Sequence, residues 1–343
     1  MPVTHECSVG RTPAFVVGVP ERPRWRVRRW LMLKRDGVDF AFYTSPNVAA
    51  IENRIPFCMP IHDLNHRLNP HFPEVSAGGE WHRREILFGN AVRYGSQLLV
   101  DSVTGRNDVL SCYSHLGITD ARLSVVRFSY PMYLTVPNEK LIETTREKYS
   151  LPHRFLFYPA QYWAHKNHKR LLRALAHYNS TARRPISLVL SGSHSGEFRE
   201  EEFRAIKSLI GELRLESFVR ILGYIPVADM APLYRAATAL IMPTFFGPTN
   251  IPIVEAWAMD TPVIASRIDG MVEQIGSAGI LVDPSSVTDI AKGIDRLLSN
   301  PAVVPTLVAR GRKRAQALSR DKFKFQVQEA VLKGLNSPRS PWE

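Results

Sequence analysis

This sequence is poor in the features that mark several large protein classes. It has three cysteines in 343 residues, Cys7, Cys58 and Cys112. An odd, widely spaced set argues against a disulfide framework and a thiolate metal site, and points to a reducing compartment. No apolar run approaches the roughly 20 residues of a membrane-spanning helix. The first residues show no basic flank followed by an apolar core, so no secretion signal is read there. G-x-x-x-x-G-K-[ST] is missing, which excludes a P-loop, and no G-x-G-x-x-G follows a strand, which removes the usual dinucleotide fingerprint. No Ser-His-Asp order or nucleophile elbow is present. Asp36 and Asp39 do not form a D-x-D clamp for a metal-bound diphosphate. There is no fixed-period repeat and no low-complexity tract.

What remains is a soluble-type composition, 45% hydrophobic and 22% charged, in a chain long enough for two cores. The net charge of +12 favours an anionic partner. Much of the excess is local: Arg22, Arg24, Arg26, Arg28, Arg29, Lys34 and Arg35 crowd one segment with Trp25 and Trp30. Such a helix suits an acidic membrane face, against the plainer alternative of a solvated helix face. No nucleic-acid-binding motif accompanies the charge, so nucleic acid is not expected as a partner.

Apolar runs predict strands over 15–19, 38–43, 57–61, 97–101 and 123–128, with helices near 24–34, 80–94 and 104–116. A charged helix over 139–149 follows. The second half alternates more regularly. Strands are expected at 155–158, 186–190, 219–222, 239–242, 262–265 and 279–282, with helices at 168–177, 197–213, 229–236, 253–259 and 271–275. Three closing helices, 287–298, 303–318 and 322–335, have no strand between them. The alternation predicts doubly wound parallel sheets with ligands at the carboxyl ends of strands.

One stretch organises the second half. The run 239–242 leads into Pro243-Thr244-Phe245-Phe246-Gly247-Pro248-Thr249-Asn250, and a helix then opens with Asn250 as the expected N-cap and Pro252 in the first turn. A strand feeding a helix N-terminus offers free N–H groups and a positive dipole end, an anion site. Glu255, one turn on, suits sugar hydroxyls. The plainer reading is an ordinary strand-turn-helix unit. Lys166 stands before another helix start, where an ammonium is unfavourable unless an anion offsets it. A solvated loop lysine is the alternative. His62 and His66 are spaced for one helix face, which admits a zinc reading. The run before His62 reads as a strand, however, and no third ligand is evident. His62 is therefore expected at a strand end, either facing a ligand or as a satisfied structural histidine.

Taken in order, several segments resemble the retaining glycosyltransferases of GT-B fold in the large group 1 (family 4) class. They are Gly223-Tyr224-Ile225-Pro226, Leu233-Tyr234-Arg235-Ala236-Ala237, the stretch from Met242 to Ala258, Asp260-Thr261-Pro262-Val263-Ile264-Ala265-Ser266 and Gly279-Ile280-Leu281-Val282-Asp283-Pro284. In the first half, His62-Asp63, Pro70, Arg83 and Asp101-Ser102 resemble the acceptor-side domain. The resemblance implies two Rossmann-like doubly wound domains with a cleft for the donor, the first domain incomplete, since five strands are predicted where about seven are usual. The implied organisation is an acceptor-side domain at 1–136, a linker helix at 137–150, a nucleotide-sugar domain at 151–318, a helix at 319–336 packing back on the first domain, and a tail at 337–343.

It also implies roles. Glu255 matches the glutamate that holds ribose hydroxyls, and Lys166 the lysine on the donor diphosphate. Thr249, Asn250 and Ile251 match the loop whose amides meet phosphate and sugar, and His62 the histidine facing the donor sugar. Gly247 stands where the family has a sugar-facing glutamate, and Gln161 where it has an arginine. The expected activity is transfer of a hexosyl unit from a nucleoside diphosphate sugar, with retention and without metal or cofactor. The acceptor would be a glycan or lipid-linked saccharide in cell-surface polysaccharide synthesis, with the protein in the cytoplasm, peripheral at the membrane face. The alternative is a truncated, non-catalytic homologue that binds nucleotide only.

Overall fold

The computed structural model describes residues 26–131 and 133–337. The strand expected at 15–19, together with Cys7, Arg22, Arg24 and Trp25, lies outside the described residues.

In chain order the elements are α1 (Arg26–Arg35), β1 (Ala41–Phe42), α2 (Ala49–Glu52), β2 (Phe57–Pro60), α3 (Asn65–Leu68), α4 (Pro73–Ser76), α5 (Glu80–Tyr94), β3 (Gln97–Val100), α6 (Val103–Tyr113) and β4 (Leu123–Val125). They continue with α7 (Glu139–Lys148), β5 (Phe155–Pro159), α8 (His168–Thr181), β6 (Ser187–Ser191), α9 (Glu197–Glu212), β7 (Val219–Ile221), α10 (Val227–Ala236), β8 (Ala239–Met242), α11 (Ile251–Ala258), β9 (Val263–Ser266), α12 (Asp269–Ile275), β10 (Ile280–Val282), α13 (Val287–Leu298), α14 (Val303–Ala317) and α15 (Arg320–Asn336). Among the described residues the chain divides into two compact units, one of 26–71, 75–127 and 321–337, the other of 72–74 and the described part of 128–320.

The first unit holds four parallel strands in the order β1-β2-β3-β4. β2 and β3 are buried along their whole length, as strands covered on both faces must be. One face carries a core of Phe57, Met59, Phe88, Val92, Leu98, Val109 and Tyr113. The other is covered by α15, whose Ala330 packs with Phe40, Cys58, Leu99 and Val126. Burial pushes the Cys58 thiol far up, so it serves as a small apolar side chain.

The second unit has six parallel strands in the order β7-β6-β5-β8-β9-β10. Counted along the chain this is 3-2-1-4-5-6, the doubly wound order. Its switch point lies between β5 and β8, where the loops leaving the carboxyl ends diverge and open a crevice. β8 is completely buried, and α13 buries Ile290, Ala291, Ile294 and Leu297 along one face, a three- and four-residue spacing that seats it on the sheet.

Candidate functional site

The two loops that flank the β5/β8 switch point carry Lys166, Gly247, Thr249 and Asn250, four of the residues singled out by sequence. After β5 the chain makes one 3-10 turn, Ala164–Lys166, and then starts α8. Lys166 closes that turn and its carbonyl accepts the Tyr158 hydroxyl at 2.8 Å. Asn167 follows in a left-handed conformation, φ 63°, which asparagine tolerates better than most residues. Its buried amide does not cap α8. Instead Nδ2 donates to the carbonyls of Pro243 and Pro284, each at 2.8 Å. One side chain thereby ties the loops after β5, β8 and β10 together.

His165 is the second tie. Its carbonyl accepts from the Phe245 amide at 2.8 Å and from the Thr244 hydroxyl at 3.0 Å. Its own amide and Nδ1 both meet Glu74 Oε1, at 3.0 and 2.6 Å. Burial raises the Glu74 carboxyl, but the hydrogen bonds from His165 prevail and hold it below the usual range. The first turn of α8 carries no acid, and Lys169 and Arg170 follow Lys166 there. The Lys169 ammonium is already paired with Glu202 at 2.6 Å.

The loop after β8 is gripped from α12. The Asn250 amide donates to Gln274 Oε1 at 2.9 Å, and Gln274 Nε2 returns a bond to the Asn250 carbonyl at 2.8 Å. Gly270 permits this approach: a Cβ there would lie 2.6 Å from the Gly247 carbonyl oxygen and Pro248 Cα. The structure corrects one expectation. Asn250 holds the N-cap position of α11 but makes no side-chain cap bond. Its amide nitrogen turns back to the Gly247 carbonyl at 3.3 Å and to the Met271 sulfur at 3.5 Å. With its backbone held by Gln274, the side chain cannot also reach the helix amides. Pro252 sits in the first turn, as its missing N–H allows.

Gly247, Thr249 and Ile251 lie on this loop and the first position of α11, with Ile251 exposed. Gly247 has φ 150°, a conformation that only glycine adopts readily. A Cβ would sit 2.8 Å from Asn250 Oδ1. The Asn250 amide thus fills the space into which a side chain at 247 would project.

Glu255, on α11, is buried. Its carboxylate accepts the Tyr234 hydroxyl on Oε2 and the Tyr133 hydroxyl on Oε1, each at 2.5 Å. A carboxylate offers about four acceptor directions, so two are taken and two remain for a ligand's hydroxyls. Burial, then the carboxylate itself, raises the Tyr133 phenol, and the same causes raise Tyr234 well above its ordinary value. Both phenols therefore stay protonated donors. Neither tyrosine was singled out from sequence for this contact. Tyr234 stood inside the quoted Leu233-Tyr234-Arg235 motif, while nothing in the sequence around Tyr133 signals it.

His62 belongs to the first unit. It follows β2 by two residues and precedes α3, so it stands at a strand end and shares no helix with His66. His66 is buried, with Nε2 3.4 Å from Glu85 Oε2. Burial pushes the half-buried His62 below its ordinary pKa and the Asp63 charge partly opposes this, leaving a neutral imidazole at pH 7. Among the described residues no group of three His, Cys, Asp or Glu side chains could hold a metal ion.

The model of the family described as Glycosyl transferases group 1 matches residues 142–316, just over half of the chain. This chain belongs to that family. The group 1 chain is 31% identical over 154 residues to O-antigen chain mannosyltransferase B of Escherichia coli, covering 45% of this chain and 39% of that protein. To the D-inositol 3-phosphate glycosyltransferase of Thermobifida fusca it is 29% identical over 154 residues, covering 43% and 35%. The chain thus spans well under half the length of these curated relatives. Among solved structures, Anabaena Alr3699/HepE in complex with UDP-glucose aligns with a TM-score of 0.74 at 19% identity, covering 90% of this chain and 81% of that one. A glycosyltransferase from Rickettsia africae aligns at 0.72 and 19%, covering 93% and 84%. At such identity the likeness speaks for the fold: an α/β protein with parallel sheets and GT-B glycosyltransferases as structural neighbours.

Proposed function

We propose that this group 1 glycosyltransferase moves a hexosyl unit from a nucleoside diphosphate sugar to a glycan or lipid-linked saccharide, with retention of anomeric configuration, in cell-surface polysaccharide synthesis. The observation that carries this is the buried Glu255 carboxylate, held by two phenols on the helix that follows β8, while the helix that follows β5, across the switch point, opens with basic residues and no acid. Glu255 takes the ribose hydroxyls. Lys166 and the backbone amides of Thr249 and Ile251 meet the diphosphate, while the Asn250 amide, given to Gln274, holds the loop between them in place. As the glycosidic bond breaks, negative charge grows on the departing diphosphate. Preorganised donors that need not reorient stabilise it, the electrostatic term that dominates many transfer reactions. No metal or cofactor enters this scheme, since no D-x-D carboxylate pair stands in the sequence to hold one. The His62 imidazole, neutral at pH 7, is proposed for the donor sugar on the resemblance.

The basic helix α1 is proposed to rest on an acidic membrane surface, which would place the protein at the inner face of the cytoplasmic membrane. Leu31 and Met32 beside its basic residues are half exposed, as an interfacial helix requires.

A panel of nucleotide sugars, scored for release of nucleoside diphosphate with and without membrane extract, tests the proposal. One donor should be turned over, and Glu255→Ala and Lys166→Ala should each abolish most of that turnover. If no donor binds, the transferase reading is wrong. Gly247 favours a second reading, nucleotide binding without transfer. Binding of a donor with no transfer to any extract would support it.

A further inference from the structure

Gln161 stands where the family has an arginine, and here a guanidinium from another element reaches that side chain. Gln161 Oε1 accepts two hydrogen bonds, from Trp163 Nε1 at 3.0 Å and from Arg199 Nη1 at 3.0 Å. The Arg199 guanidinium also lies over the Trp163 ring, with Cζ 4.7 Å from its centroid. Two fixed contacts, one lateral and one through the ring face, hold a normally flexible side chain in place.

Arg199 lies in the first turn of α9, after β6, the strand that pairs with β5. The loops after these two strands press together at Gly192, where a Cβ would come within 2.7 Å of the Ala160 carbonyl carbon and 2.9 Å of the Gln161 amide. That approach delivers Arg199 to Gln161 on the same loop as Lys166. No carboxylate lies within ion-pair distance of Arg199 among the described residues, and its buried Nε has no partner. A guanidinium bonded to a neutral amide and lying over an indole meets no counter-charge in these contacts.

We propose that Arg199 supplies from α9 a diphosphate contact on the loop that carries Lys166, with Gln161 and Trp163 as its positioning residues. This rests on the nucleotide-sugar reading above. The ligand chemistry is a diphosphate ester, which a planar guanidinium binds through two parallel N–H donors.

The test is calorimetric titration of UDP, GDP, ADP and dTDP into the wild type and into Arg199→Gln, Arg199→Lys, Arg204→Gln and the double variant Gln161→Arg/Arg199→Gln, with the melting temperature of each recorded. Losing one charge-assisted contact should weaken the preferred diphosphate about tenfold or more in Arg199→Gln. Arg199→Lys should fall between, since it keeps the charge and loses the fork. Arg204→Gln, on the same helix but outside the cluster, should stay within about twofold. Gln161→Arg should restore most of the affinity lost in Arg199→Gln, which a merely bracing Arg199 would not allow. Wild-type affinity in a folded Arg199→Gln, or no recovery in a folded double variant, overturns the proposal alone. A wild type that binds none of the four overturns it together with the nucleotide reading.

Discussion

Tyr234 donates its phenolic hydrogen to Glu255 Oε2 at 2.5 Å, and both side chains are buried. The pair is inside the second unit's core, where a lost partner is not replaced by water. Tyr234→Phe should cost about 1–3 kcal/mol, the penalty of leaving a buried charged acceptor short of a donor. Urea unfolding measures this. Tyr133, on the same carboxylate, is 43% exposed, so Tyr133→Phe should cost under about 1 kcal/mol and leave Oε1 open to a ligand's hydroxyl. Nucleoside diphosphate affinity should then rise in Tyr133→Phe and fall in Tyr234→Phe. Equal losses in both would show that Tyr133 helps to hold the ligand.

Restoring the family's glutamate at 247 should not raise activity. The φ of 150° and the Asn250 amide against the site make any side chain unwelcome. Gly247→Ala should cost about 1–3 kcal/mol, and Gly247→Glu more. Adding Asn250→Gly should recover part of the loss by clearing the space. A stable, more active Gly247→Glu single variant would contradict this.

His168 is wholly buried between the rings of Tyr158 and Tyr162, with centroids at 4.8 and 5.0 Å. Burial, followed by the charges of Lys166 and His165, lowers its pKa from 6.5 to about 3. The unfolded chain takes up this proton near 6.5, the folded chain only near 3, so between those values the unfolded state binds more protons. Stability is therefore unaffected by His168 above 6.5 and falls as the pH drops from there towards 3. Melting temperatures from pH 7 to 4 should decline less steeply in His168→Phe, which keeps the aromatic stack. An unchanged slope would assign the acid sensitivity to other groups.

If α1 meets an acidic bilayer, replacing Arg26, Arg28 and Arg29 by serine should weaken co-sedimentation with phosphatidylglycerol vesicles by of order a hundredfold in low salt, at about 1 kcal/mol per basic residue. The wild-type binding should itself weaken as salt rises. Equal binding of the variant would remove the membrane surface as a partner.

Much of the fold was legible in the sequence because parallel strands, buried on both faces, read as short apolar runs. The run 239–242 coincides with β8 and 287–298 with α13. The four-residue helices α2, α3 and α4 were missed, since four residues hold barely one period of any pattern. The loops were less legible. Asn250 has the composition of an N-cap, but its conformation is set by Gln274 and Gly270, both about twenty residues further on. Asn167, which no sequence pattern singles out, ties three strand loops. Arg199 is one arginine among many on a charged helix, and only the close passage at Gly192 brings it to Gln161. Contacts of this kind depend on the sheet's neighbour order, which local patterns do not carry.

The most direct measurement of whether the second unit holds a nucleotide sugar is saturation-transfer NMR of a nucleotide-sugar panel on the full chain, repeated on Lys166→Ala and Glu255→Ala. One donor should show transfer to its ribose protons in the wild type, with that signal lost in Glu255→Ala and the affinity sharply reduced in Lys166→Ala. Absence of transfer from every donor, or an undiminished ribose signal in Glu255→Ala, would contradict the assignment.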